Sequence, residues 1–351
     1  MTNIEKLIEL LPDNYEKSCY ETKAIERMRE IKTPRELIEY ALMYLIGMYS
    51  LIEMSAYAAL LGKKISNVAF MKKFAKCNDW YVQMISDMRP AAVAEYALPK
   101  GLENYVLVAP DASKVVSKGK NKQTFNLHYM LNVCKLSTEQ LKITNEKTGE
   151  SLENFDIKPN YLILADRAYG TIKSINWCLE NSANFIFRMR NKAFTLYDEN
   201  GDKIVLLNEL RKSDENNPVS FYAHINNPND GRNKVRICAK KKPPESIEKC
   251  DKAWFNQTSK NKKPTCDDDR IINHYIIVVT SLEDVSAHDI LETYRLRWQV
   301  ELYFKRLKSI LDFAESPNVK EENIVAWLNG KMLTALLLER LQTKVNFSPI
   351  A

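Results

Sequence analysis

The chain has 351 residues, 45% of them hydrophobic, with 51 lysines and arginines against 45 acids and a formal charge of +6. That length and composition describe a globular chain of two or three domains, and the positive excess suits a polyanionic partner without identifying one. Seven scattered cysteines with no C-x-x-C pair, and a start, MTNIEKLIELLPDNYEK, without the order of a secretion signal, point to free thiols in a reducing cytoplasm.

Residues 1 to about 95 read as helices. Pro34 opens PRELIEYALMYLIGM as an N1 proline ahead of helical apolar spacing. The apolar run 41–62 is long enough to span a bilayer, but Glu53 in its middle and a break at Gly47 and Ser50 favour two packed helices, with no membrane involvement. A further helix beginning near Ser66 carries Lys72 and Lys73. It fits the second helix of a helix-turn-helix DNA reader, or equally a plain helical bundle.

After Leu98-Pro99-Lys100-Gly101 the pattern changes to α/β. YVLVAPDAS is a short strand ending in a turn with Asp111 at its tip, FNLHYMLNVCKL alternates as a strand, and EQLKITNEKTGE can form a third. YLILA is a buried-type strand that delivers Asp166 at its end, and a helix, TIKSINWCLENS, and a strand, NFIFRMR, come next. Residues 191–272 interrupt this order with turn-rich sequence around the strand-like pieces KIVLLNEL, VSFYAHI and KVRICA, a β-rich insertion. HYIIVVTSL then returns as a core strand, Ser286 caps a helix, and one more helix, AWLNGKMLTALLLERLQ, precedes the tail.

The helix after Ser286 includes YRLRWQVELYFKRLKS. At roughly 100° per residue, Tyr294, Arg297, Glu301, Lys305 and Lys308 share one stripe opposite an apolar face. Taken alone, such a stripe is a solvated face with weak ion pairs. Asp111 and Asp166, however, also sit where apolar strands end, the usual place for ligands in open α/β sheets. Three oxygen ligands from separate elements, with no cysteine or histidine beside them, suit magnesium or manganese. Such ions, in a pair, serve in-line attack on a phosphodiester.

The spacing Tyr294-x2-Arg297-x3-Glu301-x6-Lys308 resembles the Y-R-E-K signature of bacterial insertion-sequence transposases of the DDE type, and Asp111 in PDAS and Asp166 in ADRAYG look like that family's first and second acids. The resemblance implies a ribonuclease-H-like mixed-sheet core split by a β-rich insertion and preceded by an all-helical domain. The expected division is residues 1–98 as a helical DNA-end-binding domain, 99–190 with 273–318 as the core, 191–272 as the insertion, and 319–351 as a short C-terminal helix and tail. It also implies Asp111 bridging two Mg2+ ions, for which Mn2+ can substitute, with Asp166 holding one and Glu301 the other. Tyr294, Arg297 and Lys308 would contact DNA phosphates, and Lys305 stands where the family often has another basic residue. Two positions depart from the pattern: Ala168 stands where glycine is common, and Ala112 where glycine or serine is.

The activity implied is a transposase that binds the inverted-repeat ends of its own element, cleaves them, and transfers the 3′ ends to target DNA, as a homodimer on double-stranded DNA. The rivals are a nuclease of the same fold without integration activity and a decayed DNA-binding regulator. Trp298 could stack on a base or simply pack, and Trp254, beside Phe255 in the insertion, could hold a flipped base. Asp267-Asp268-Asp269 reads as a polar loop, the four histidines lack metal spacing, and no glycine-rich phosphate loop points to a nucleotide cofactor.

Overall fold

The computed structural model describes residues 3–88, 98–117, 123–134, 137–227, 231–261, 266–299, 301–302, 315–317 and 320–344. The N-terminal part is helical: α1 (Asn3–Ile8), α2 (Tyr15–Glu21), α3 (Pro34–Leu45), α4 (Leu51–Leu60), α5 (Asn67–Lys76) and α6 (Asn78–Asp87). Local chemistry sets the starts. Thr33 accepts from the Glu36 amide ahead of Pro34 at N1, Ser50 and Glu53 form a reciprocal capping box, and Ser66 accepts from the Ala69 amide. The apolar run 41–62 is therefore two helices, broken where Gly47 adopts φ 79°. Glu53, the charge inside it, is spent on a cap. Among the described residues no helix is long and apolar enough to cross a membrane.

The last helix, α12 (Glu321–Lys344), has 24 residues and packs against α3, α5 and α6. A Cβ at Gly330 would lie 2.7 Å from the Leu45 methyls and 3.2 Å from the Tyr81 ring, so glycine permits this crossing. Asn329 donates to Asn78 Oδ1 across the same contact at 2.8 Å. The segment expected as an end piece, 319–351, thus contributes a helix to the N-terminal bundle.

The remaining elements are β1 (Val106–Ser117), β2 (Thr124–Asn132), β3 (Ser137–Asn145), β4 (Tyr161–Ala165), α7 (Ile172–Glu180), β5 (Asn184–Arg188), α8 (Leu206–Leu210), β6 (Val219–Asn227), β7 (Gly231–Lys241), α9 (Pro244–Asn261), α10 (Asp267–Ile272), β8 (Tyr275–Thr280), α11 (Ala287–Arg295) and β9 (Glu315–Ser316). They form one nine-stranded mixed sheet in the order β3-β2-β1-β4-β5-β8-β7-β6, with β9 beside β1. The antiparallel meander β1–β3, followed by β4 and β5 parallel to β1, is the ribonuclease-H-like arrangement expected. One sheet face shares a core with the helical bundle, α11 and α12; the other carries α7, α8 and α10.

The hairpin β6–β7 of the insertion extends the core sheet through β8. The insertion is more helical than expected: KIVLLNEL ends in α8, and α9 runs for 18 residues where the sequence suggests loop chemistry. The hairpin also fixes the entry into α11. Arg236 on β7 donates to the Val285 carbonyl at 2.6 Å and the Glu283 carbonyl at 2.9 Å, holding the turn that leads there from β8.

Candidate active site

Register brings two of the three acids together. β1 and β4 pair in parallel through Val106↔Tyr161, Leu107↔Leu162 and Val108↔Ile163. Three residues past the last of these pairs, Asp111 and Asp166 fall at corresponding positions of the two chain segments, and the charge of Asp166 acts on Asp111. Their parity matches Leu107, Ala109, Leu162 and Leu164, which face the bundle and α11. Asp111 is not at a strand tip, however. β1 is 12 residues long and runs on past Asp111 to Ser117, and Asp111 pairs with Tyr129 of β2. Pro110 suggests an early stop, but Val106 donates toward β4, to the Asn160 carbonyl. Alternation turns position 110 the same way, beyond the last β4 pair, so its missing N–H interrupts no ladder.

Local bonds fix both carboxylates. Asp111 Oδ1 accepts from the Ala112 amide and Asp166 Oδ1 from the Ala168 amide, each at 2.8 Å. The second bond turns the chain from β4 toward α7. Ala168 is not among the positive-φ residues, so alanine meets no backbone penalty there. The close approach falls at Gly170 instead, where a Cβ would collide with the Arg188 carbonyl oxygen. Burial pushes the Asp111 carboxyl up to about 6; the Ala112 N–H and Arg297 oppose this, while Asp166 and Glu150 add to it.

The third acid arrives on a different path from the one its spacing suggests. Ser286 caps α11 by accepting from the Asp289 amide, α11 ends at Arg295, and Leu296 and Arg297 form a turn before helix resumes at Trp298. Amides of Leu296, Arg297 and Gln299 bond three residues back, to Thr293, Tyr294 and Leu296. The winding is tight here, and regular helix is interrupted between Arg295 and Trp298. Tyr294, Arg297 and Glu301 nevertheless converge. The Arg297 guanidinium lies 5.9 Å from the Tyr294 ring centroid, and its Nη2 donates to Glu301 Oε1 at 2.5 Å.

Burial works against the charge on Arg297, but Glu301, Tyr294 and Asp166 outweigh it and raise its pKa. Burial also raises the Tyr294 phenol, opposed by Arg297 and Arg188 and aided by Asp166. The charge of Asp166 thus acts on both side chains from the end of α11. Arg297 Nε is buried with no partner among the described residues. Arg188, at the end of β5, is pushed down to about 10, first by burial and then by the charges of Arg167 and Arg297, with Tyr294 opposing.

Sequence reasoning misses Arg188, although it closes the apolar strand NFIFR just as an acid comes after YLILA.

The donors suit a divalent cation. Asp111 and Asp166 offer only hard oxygens, and their surplus charge in a partly buried setting is what such an ion would neutralise. Among the described residues, however, no three His, Cys, Asp or Glu side chains are grouped as a ready metal cage. Glu301 is engaged by Arg297 instead.

Other expected residues divide. Lys305 and Lys308 lie outside the described residues. Lys72, exposed, and Lys73, half-buried, are on α5 of the bundle. Trp298 is 56% exposed beside Arg297, as a stacking residue needs. Half-buried Trp254 is on α9, which leaves the sheet after β7 at the edge where β5 ends, the same edge as the acids. Asp267-Asp268-Asp269 opens α10 and is not loop; Asp269 accepts from Asn191 at 2.6 Å and Lys192 at 2.8 Å, a structural role.

The family model described as Transposase DDE domain matches residues 105–338. The putative transposase InsL for insertion sequence element IS186A of Escherichia coli K12 is 26% identical over 96% of this chain and 93% of its own length. The transposase for insertion sequence element IS421 of Escherichia coli matches at 26% with the same coverage. The transposase for IS1151 of Clostridium perfringens is 38% identical over 19% of the chain and 14% of its own length.

Proposed function

The chain belongs to the DDE-type insertion-sequence transposases, and from that premise we propose that it binds the inverted-repeat ends of its own element, hydrolyses the DNA there, and joins the freed 3′ ends to target DNA. The observation that supports the catalytic assignment is the β1–β4 register, which carried three residues on brings Asp111 and Asp166 to corresponding positions, together with the action of the Asp166 charge on Asp111. These two residues and Glu301 would hold two Mg2+ ions, or Mn2+ in their place. Bound there, the ions would supply activation of a water or 3′ hydroxyl and stabilisation of the departing oxygen during in-line attack.

The chain's own residues do the rest. Arg297 presents a buried, unpartnered Nε–H and shares its Nη2 with Glu301. A phosphate oxygen would satisfy that donor in the forked geometry guanidinium favours. Phosphate and Glu301 compete for the same edge of the guanidinium, so DNA binding would free the Glu301 carboxylate for metal. Tyr294 and Arg188 line the same approach, and Trp298 is open to stack on an unpaired base. Lys72 and Lys73 on α5 would contribute phosphate contacts at the element end, with a homodimer bringing two ends together.

The test is cleavage of linear DNA carrying the element's ends, in Mg2+, followed by strand transfer with precut ends. Asp111→Ala, Asp166→Ala and Glu301→Ala should each abolish both reactions while still shifting end DNA on a gel. Retained cleavage in any one of them removes that residue from the site. Cleavage without joined product would make the protein a nuclease, and binding without cleavage in the parent would make it a regulator.

A further inference from the structure

Helix α4 is apolar on nearly every side and covered on only one. LIEMSAYAAL carries a single charged residue, Glu53, and its buried side chains are Met54 and Ala58. Tyr57 closes that inner side, stacking on Tyr49 with ring centroids 5.4 Å apart and meeting Tyr40 edge-on at 6.4 Å. Facing outward are Ile52, 70% exposed, and Leu60, 85% exposed, with Ala56 and Ala59 exposed between them. At roughly 100° per residue these four positions fall within an arc of about 100°, one continuous stripe. A helix that is hydrophobic all round belongs inside an assembly, and an apolar stripe left open marks a surface of interaction.

The polar groups of α4 do not compete for this stripe. Glu53 Oε2 accepts from the Ser50 amide at 2.7 Å in the capping box, and Ser55 Oγ donates to the Ile65 carbonyl at 2.5 Å. Both are spent on the chain's own backbone. The neighbouring α5 differs: Asn67, Lys72 and Lys76 are exposed on it, side chains that suit solvent or phosphate.

The stripe is also complementary to itself. Ile52 and Leu60 are about 12 Å apart along the helix axis, with Ala56 midway. Around a twofold axis at Ala56, a second α4 running antiparallel would set Ile52 of each copy against Leu60 of the other, and the small alanines would let the helices approach closely. The same pairing aligns the helix dipoles head to tail. It also brings Lys64, exposed just past the end of one helix, toward the first turn of the other, where Glu53 stands. Size sets the strength: a helix of about 15 Å offers well under the roughly 800 Å2 per partner of a standard interface. Such a contact joins copies that DNA already holds together and leaves dilute protein monomeric.

We propose that the exposed face of α4 is the contact between two copies of this chain, packed antiparallel about Ala56 when both are bound to DNA. This rests on the reading that a homodimer brings two element ends together.

The test uses the full-length protein with Cys266→Ser, which removes the exposed thiol. Ala56→Cys in that background, bound to duplex DNA carrying the element's ends, should form a disulfide-linked dimer under mild oxidation about tenfold more than Val82→Cys, a 46% exposed position on α6. Ile52→Glu and Leu60→Lys should each cut that cross-link about fivefold by burying an unpaired charge, and the two together should restore it to within about twofold, because the new charges then meet across the axis. Both positions are exposed, so all variants should melt with the parent. Cross-linking no greater at Ala56 than at Val82, or indifferent to the single charges, overturns the proposal. If the parent on end DNA sediments with one copy per complex, the homodimer reading falls with it; a two-copy complex without the Ala56 cross-link rejects only α4.

Discussion

Replacing Asp111 by asparagine should make the metal-free protein more stable while removing its chemistry. Burial raises this carboxyl from 3.8 to about 6, so the folded state holds its proton more tightly than the unfolded chain does. That fixes the sign of the pH dependence. Well below about pH 4 both states are protonated and the site costs nothing; as pH rises through 6, the folded protein acquires a poorly solvated charge and loses stability. The rise corresponds to about 3 kcal/mol at pH 8, an upper value because the side chain is only partly covered.

The asparagine of this variant would keep the Ala112 amide bond through its own carbonyl oxygen and carry no charge at any pH. Urea unfolding followed by tryptophan fluorescence checks this. With a slope of about 3 kcal/mol per molar, the Asp111→Asn midpoint should exceed the parent's by up to ~1 M at pH 8, with the gap closing toward pH 4. Saturating Mn2+ should narrow the pH 8 gap by stabilising the parent alone. A variant less stable than the parent at pH 8, or a gap that does not change with pH, would refute the reasoning that burial, and not a structural bond, governs this side chain.

Gly170→Ala puts a methyl about an ångström inside contact with a backbone oxygen that cannot swing away, and should cost roughly 2–4 kcal/mol in the same urea assay; a loss below about 0.5 kcal/mol would show that the turn after Asp166 is not packed as described. Arg297→Lys keeps the charge but loses the fork and the stacking on Tyr294. End-DNA cleavage should fall at least tenfold, with the lysine variant closer to Arg297→Gln than to the parent; parent-like cleavage would mean that a point charge suffices.

Much of the fold was legible because it is encoded locally. Thr33-Pro34, Ser50 with Glu53, Ser66 and Ser286 each announce a helix start that the structure contains, since a cap needs only residues three positions apart. The strand identities of 161–165 and 275–280 come from apolar runs too short for buried helices. KIVLLNEL misleads because the same run of apolar residues serves a strand or a short helix; the choice falls to Leu207 and Leu210, which bury against the sheet. The end of β1 is misplaced for a related reason. Whether Pro110 stops a strand depends on which neighbour its nitrogen faces, and that neighbour lies some 50 residues away in sequence.

The site was legible in its residue types and not in its geometry. Helical periodicity could put Tyr294, Arg297 and Glu301 on one stripe, but it assumes uniform winding, and the tight turn at Leu296–Arg297 breaks that assumption. Periodicity does reach Glu301, four residues on from Arg297, but what else acts on that guanidinium lies beyond it: Asp166 after β4 and Arg188 from β5. Arg188 shows the limit most plainly. A single arginine at a strand end is unremarkable, and it matters only because β5 lies beside β4, so that two guanidiniums and a phenol from α11 meet the acids at one edge of the sheet. The sheet order, more than any motif, turns separate strand-end charges into one electrostatic unit. Arg188 holds the Tyr294 phenol down against burial, so Arg188→Gln should raise that phenol further, read by carbon NMR of labelled tyrosine rings across a pH titration; an unmoved Tyr294 would dissolve the unit.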